Sequence, residues 1–370
     1  MSKEREKKIA AFLNKAGWGR AARAPLAGDA STHAYERLSG PEGRAVLMNA
    51  PAGPDGPPLE GSRKAYSAIA HLAEDCRPFV AVGEHLRALG LSAPRLLAHD
   101  MEAGLLLLED LGDDLYGKAI ETGKAGDGTR LDELYRAAID ALLLLHQAST
   151  PAALPLPGGS TYKVPSYDDA ALAIETELLT DWYIPVKKGT ALAAEEKDIY
   201  RGLWKKLFPK AVIGAPVLVL RDYHSPNLLW LGEREGAARA GMLDYQDAQA
   251  GSRAYDLVSL LQDARKDVPE AREEEMLAYY IDRAGKADTS FDEDAFRAAY
   301  AVLGAQRNAK IMGIFVRLWR RDGKPGYLAH LPRVSAYLER DLRHPVLSEM
   351  KAWLDTHVPA ALRKEILQAE

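Results

Sequence analysis

Residues Leu218 to Leu231 read LVLRDYHSPNLLWL. The stretch begins and ends apolar, but Arg221, Asp222, His224 and Asn227 stand in its middle. Short apolar runs of this kind read as buried strands, and a polar break between them is a loop at the rim of a domain. A few residues later GMLDYQDAQAGSRAYDL, Gly241 to Leu257, has the same layout: an apolar run that ends in Asp244, with Asp247 three residues on. The fold must therefore carry two buried β segments to a common rim and leave acids there. A carboxylate so placed can accept a proton from a substrate hydroxyl. An amide oxygen and a second carboxylate can hold a hard cation such as Mg²⁺, which completes its shell with phosphate oxygens and water. Asp222 alone reads better as a turn residue or helix cap. Turns and caps do not account for Asp222, Asn227 and Asp244 together.

The rest of the chain divides into two parts. Tyr35 and Leu38 belong to one strand, SGPEG is a turn, and Ala45 to Met48 form a second strand. Helical spacing follows from Ser62 to Gly90, and APRLLAHD and AGLLLLEDLG add two strands. Beyond EDLGDDLY the periodicity is helical at 131–146, 168–179 and 195–207, and again from Tyr255 onward. The expected organisation is α+β. A small antiparallel β-rich lobe spans residues 1–111, with a connector at about 108–113, and a large, mainly helical lobe spans residues 112–370.

Composition narrows the function classes. Among 370 residues, 47% are hydrophobic and 27% charged, enough for two packed cores. The net charge of -5 argues against a nucleic-acid binder. A single cysteine, Cys76, allows no intrachain disulfide and fits a reducing compartment; it reads as a small core hydrophobe. No run approaches the ~18 apolar residues of a membrane span. The N-terminal MSKEREKKIAAFLNKAGW reads as an amphipathic helix rather than a signal peptide. A cytoplasmic monomer is expected.

The motifs resemble those of the aminoglycoside phosphotransferase and choline kinase-like superfamily, which has a two-lobed, protein-kinase-like fold. That resemblance makes Asp222 the catalytic base and Asn227 and Asp244 magnesium ligands, with ATP as phosphoryl donor. It makes Asp256 a structural anchor, although an N-terminal helix cap explains Asp256 as well. Gly28, Asp29, Ser31 and Thr32 would cover the nucleotide phosphates, and backbone groups from Glu109 to Leu111 would meet the adenine edge. One departure stands out: Met48 occupies the position where the superfamily usually places a phosphate-binding lysine. Arg37, Arg44 or Lys64 could replace that charge, and the role of Glu84, its usual helix partner, is open. Within the superfamily, GDAS, MNAP, CRPFVAV, ELLTDWY, RDYHSPNL, LDYQDA, YDLVSLLQDAR, GIFVRLWRRDGKPGYLAHLPRV and the RHPVL tail are similar to the bacterial anomeric N-acetylmuramate and N-acetylglucosamine kinases of cell-wall recycling. The resemblance implies an amino-sugar acceptor. His224, Glu177, Asp263, Arg265 and Arg307 are candidate sugar contacts, and Arg or Lys would suit a muramate carboxylate. A kinase of another small alcohol or of an aminoglycoside remains open, as does a catalytically silent nucleotide-binding scaffold.

Overall fold

In the computed structural model, residues 2–26, 33–53 and 64–368 are described. The chain opens with helix α1 (Lys3–Lys15), started by Ser2, whose side chain accepts from the Arg5 N–H. Five strands follow as one antiparallel sheet: β1 (Ala22–Leu26), β2 (Ala34–Gly40), β3 (Gly43–Asn49), β4 (Leu96–Asp100) and β5 (Leu105–Glu109), in the order β1-β2-β3-β5-β4. Between β3 and β4 lie the one-turn α2 (Tyr66–Ile69) and α3 (Arg77–Ala88). The helical spacing read over 62–90 is therefore interrupted, and Pro78 sits in the first turn of α3, where its missing N–H costs nothing.

The period-two pattern of β3 sorts the small lobe. Ala45 and Leu47 face α1, whose Ile9, Phe12 and Leu13 are buried at helical spacing against Leu105 and Leu107. Met48 faces the other way, into the core shared with α3 and the second lobe.

After β5 the chain is mostly helical: α4 (Tyr116–Thr122), α5 (Leu131–Gln147), a small β6–β7 hairpin (Ala153–Pro155, Thr161–Lys163), α6 (Asp169–Leu178), α7 (Ile184–Lys188) and α8 (Ala194–Ala211). Four three-residue strands come next: β8 (Val217–Val219), β9 (Leu228–Trp230), β10 (Ala240–Met242) and β11 (Gln249–Gly251). The chain closes with α9 (Ala254–Leu261), α10 (Glu270–Ala287), α11 (Glu293–Asp322), α12 (Leu331–Asp341), α13 (Ser348–His357) and α14 (Ala360–Lys364). Helix α11 is the axis of this lobe. It is buried on nearly all sides from Ala299 to Leu318, so a polar residue there does not lie on a solvated face. Among the described residues no helix is long and apolar enough to cross a membrane.

Candidate active site

Two antiparallel ladders build the site. β9 pairs with β10, and β8 pairs with β11. The Asp222 loop leads into one arm of the β9–β10 hairpin, and Asp244 follows the other. Asp222 lies between β8 and β9, and Asp244 lies between β10 and β11. Leu228 opposes Met242, so both acidic loops leave the β9–β10 hairpin at the same end. The Leu243 N–H donates to the Asn227 carbonyl at 2.9 Å, locking the two loops together.

The side chains converge accordingly. The Asn227 amide nitrogen donates to the Asp222 carbonyl at 3.0 Å and lies 3.3 Å from Asp244 Oδ2. Gln246 donates to Asp244 Oδ1 at 2.8 Å. Asp244 adopts φ +58° and Arg221 φ +70°, a region that residues with a Cβ rarely enter. Both strained residues sit at strand ends beside the acids, as is common at functional sites. Burial and the nearby Asp222 charge push the Asp244 carboxyl up to about 6.

Three supports hold the Asp222 loop. Buried Asp256 accepts from the Leu220 and Arg221 N–H groups at 2.6 and 2.9 Å. It lies inside α9, so it anchors the loop rather than capping its own helix. Asp263, fully buried, accepts from the Ser225 N–H at 2.9 Å and from the Ser225 hydroxyl, and also takes the Arg265 N–H at 2.7 Å. Arg221 turns inward, where it pairs with buried Glu175 and donates to the Ala70 carbonyl at 2.9 Å. Glu175 also takes Lys310 at 2.7 Å, Gln306 at 3.0 Å and the Tyr167 hydroxyl.

Asp222 itself lines a cavity of about 170 Å³ with His224, Arg265, Arg307 and Lys310. One wall is an apolar stripe of α11: Ile311, Ile314, Phe315 and Leu318. Burial holds the His224 imidazole below its usual range. Of the sequence-predicted sugar contacts, the fold brings His224, Arg265 and Arg307 to this cavity. Two others are elsewhere. Asp263 is spent on the Ser225 turn, and Glu177 pairs with Arg201 of α8 at 2.9 Å.

Comparison with known proteins agrees with this geometry. The profile of the phosphotransferase enzyme family (APH) matches residues 23–299. A protein of Caulobacter vibrioides named N-acetylmuramate/N-acetylglucosamine kinase is 44% identical, with 98% of this chain and 99% of that protein covered. One of the same name from Pseudomonas aeruginosa is 36% identical over 90% of this chain and 89% of its own length. The chain belongs to the phosphotransferase enzyme family. Solved structures agree on the fold alone. The GDP and kanamycin complex of APH(2")-IIia has a TM-score of 0.56 at 12% identity, covering 91% of this chain and 98% of that one. A choline/ethanolamine kinase family protein from Mesorhizobium loti has a TM-score of 0.53 at 15% identity, covering 97% and 99%. The two-lobed, protein-kinase-like architecture is therefore shared.

The small lobe of this phosphotransferase departs from the lysine pattern. Met48 is fully buried among apolar neighbours. Arg37 and Arg44, the candidates to replace that lysine, are engaged in ion pairs. Both grip Asp110 beyond the end of β5, at 2.8 and 2.9 Å, and Arg37 also holds Asp113 at 2.7 Å. Glu84 pairs with Arg87 on its own helix. The Glu109 N–H is taken by the Arg95 carbonyl at 2.9 Å, which leaves Asp110 and Leu111 as the backbone beyond the sheet. Gly28, Asp29, Ser31 and Thr32 lie outside the described residues. Two neighbours of Asp244 escaped the sequence reading. Gln246 binds its carboxylate, and Tyr245 stacks on Phe79 of α3, ring centroids 4.7 Å apart, coupling the Asp244 loop to the small lobe. The LDYQD spacing was the available signal for both.

Proposed function

We propose that this phosphotransferase is an ATP- and Mg²⁺-dependent sugar kinase acting on the anomeric hydroxyl of N-acetylmuramate, N-acetylglucosamine or both. The observation that carries the reading is the near full-length similarity, at 44% identity, to a protein named for those two sugars. The cavity supports it. Three cationic side chains line the space beside Asp222, which is unfavourable for a polycationic aminoglycoside. Its volume of about 170 Å³ also suits the substituents of a single ring.

In this reading Asp222 orients the acceptor hydroxyl and takes its proton. An anomeric hydroxyl is more acidic than an ordinary alcohol, which eases the proton transfer to a carboxylate. The donor set near Asp244 fits magnesium. Asp244 and Asn227 offer hard oxygens, and burial and the nearby Asp222 charge, which raise the Asp244 pKa, leave a carboxylate that a cation would relieve. Bound there, the ion would neutralise phosphate oxygens. Positioning and proton acceptance by the chain's own residues are each worth roughly 10²–10⁴-fold. With Met48 in the lysine position, more of the phosphate charge falls to the Asn227–Asp244 end. The retention of Asp222, Asn227 and Asp244 in one converged site is what a silent scaffold would not require.

A coupled assay for ADP release, run with each sugar, choline and kanamycin, tests this. We expect saturable turnover with at least one of the two sugars, at about 10⁴ M⁻¹s⁻¹ or more in kcat/KM. Turnover only with choline or kanamycin would overturn the reading.

A further inference from the structure

The cavity beside Asp222 contains an unanswered charge. Lys310 pairs at 2.7 Å with Glu175, a carboxylate it shares with Arg221, and Arg265 lies over the Tyr327 ring, 5.3 Å from its centroid. Arg307 differs from both. It is only 4% exposed, and Nη1 donates to the Gln262 carbonyl at 3.3 Å. Among the described residues no carboxylate comes within ion-pair distance of it. Burying a guanidinium without an ion-pair partner is unfavourable. Its place in the wall of the cavity that Asp222 also lines suits an anion that arrives with the substrate.

Two anions could answer it: a phosphate of the donor, or a carboxylate on the acceptor. The placement of the cavity decides between them. Asn227 and Asp244, the residues proposed to face the phosphates through magnesium, are not among its walls. Its walls run instead along α11, where Ile311 and Ile314 follow Arg307 on the same face. An anion reaching Arg307 there belongs to the acceptor.

We infer that Arg307 binds the lactyl carboxylate of N-acetylmuramate and sets a preference for that sugar over neutral N-acetylglucosamine. The inference rests on the sugar-kinase reading. Arg presents a planar pair of donors that matches a carboxylate, whereas Lys offers a point charge, so the two are not interchangeable here. The apolar stripe of α11 would accept the methyl groups of the lactyl and acetamido substituents.

The test compares kcat/KM for both sugars in the full-length protein, for wild type, Arg307→Gln and Arg307→Lys. For N-acetylmuramate we expect a fall of about 10- to 100-fold in the Gln variant, mainly through KM, with a smaller fall for Lys. N-acetylglucosamine should change less than about threefold, which also reports that the variant is folded. A second arm needs no variant. Wild type given N-acetylmuramate with its carboxylate converted to the neutral amide should lose the same factor. Equal losses on both sugars would overturn the inference, since an Arg that contacts phosphate or only braces the Gln262 turn acts on both alike. Full activity on the neutral amide would overturn it too. Wild type inactive on both sugars would instead remove the sugar-kinase reading itself.

Discussion

Gln306 and Arg307 are adjacent on α11, yet they belong to two polar clusters of opposite character. Gln306 donates to Glu175 at 3.0 Å, within a group where one buried carboxylate meets Arg221, Lys310 and Tyr167. Arg307 and Asp222 line one cavity, and among the described residues neither charge is matched by an ion pair. The two clusters lie in the same lobe and touch the same loop, since Arg221 precedes Asp222. A closed set of partners is what burial demands of a strut. An open set is the signature of groups whose partners come with the substrate.

The sharpest way to break that contrast is Asp222→Asn. The account predicts a loss in kcat of roughly 10³-fold or more with the thermal midpoint nearly unchanged, read by ADP release and calorimetry. Glu175→Ala should do the reverse. It strands Arg221 and Lys310, and the expected cost is about 3–5 kcal/mol of stability by urea unfolding. An activity loss without destabilisation would make Glu175 part of the open cluster instead.

A smaller effect separates buried groups by pH. Burial pushes the His146 imidazole down to about 3, so the stability it provides is present above the ordinary histidine range and is lost as pH falls from about 6.5 toward 3. Burial pushes Asp256 up to about 7, so its contribution runs the other way: present below about 4 and lost as pH rises toward 7. The two oppose each other between roughly pH 4 and 6.5. His146→Gln should therefore leave a protein whose stability falls more steeply with rising pH, by up to about 1.4 kcal/mol per pH unit in that window. Urea midpoints at several pH values measure it, and an unchanged slope would contradict the account. The smallest effect belongs to Glu177→Gln. Its partner Arg201 is half exposed, so stability should shift by less than about 1 kcal/mol and sugar kinetics by less than twofold.

Legibility in the sequence followed distance along the chain. Asp222, Asn227 and Asp244 could be read because each stands beside a short apolar strand, and a local pattern carries their chemistry. The β2–β3 hairpin and the strands at β4 and β5 were legible for the same reason. β1 was not, because ARAPL contains a proline and alternates no apolar face. The β6–β7 hairpin has only three residues per strand, too few for a period. The Glu175–Arg221–Lys310 strut joins residues remote in sequence, and no local spacing announces it. Asp263, whose place after an apolar helix suggests a substrate contact, is fully buried and accepts from the Ser225 N–H and hydroxyl, a partnership no local spacing announces. Arg307 could be suspected from sequence, since a charge inside so apolar a helix needs a reason, but only the fold shows that it lines a cavity with Asp222.

Phosphorus NMR of the reaction mixture tests the central claim most directly. Wild type and Asp222→Asn would each be incubated with ATP, magnesium and N-acetylmuramate or N-acetylglucosamine. The account predicts a sugar 1-phosphate from wild type and none from the folded variant. Phosphate on another hydroxyl, or the same product from Asp222→Asn at the wild-type rate, would contradict it.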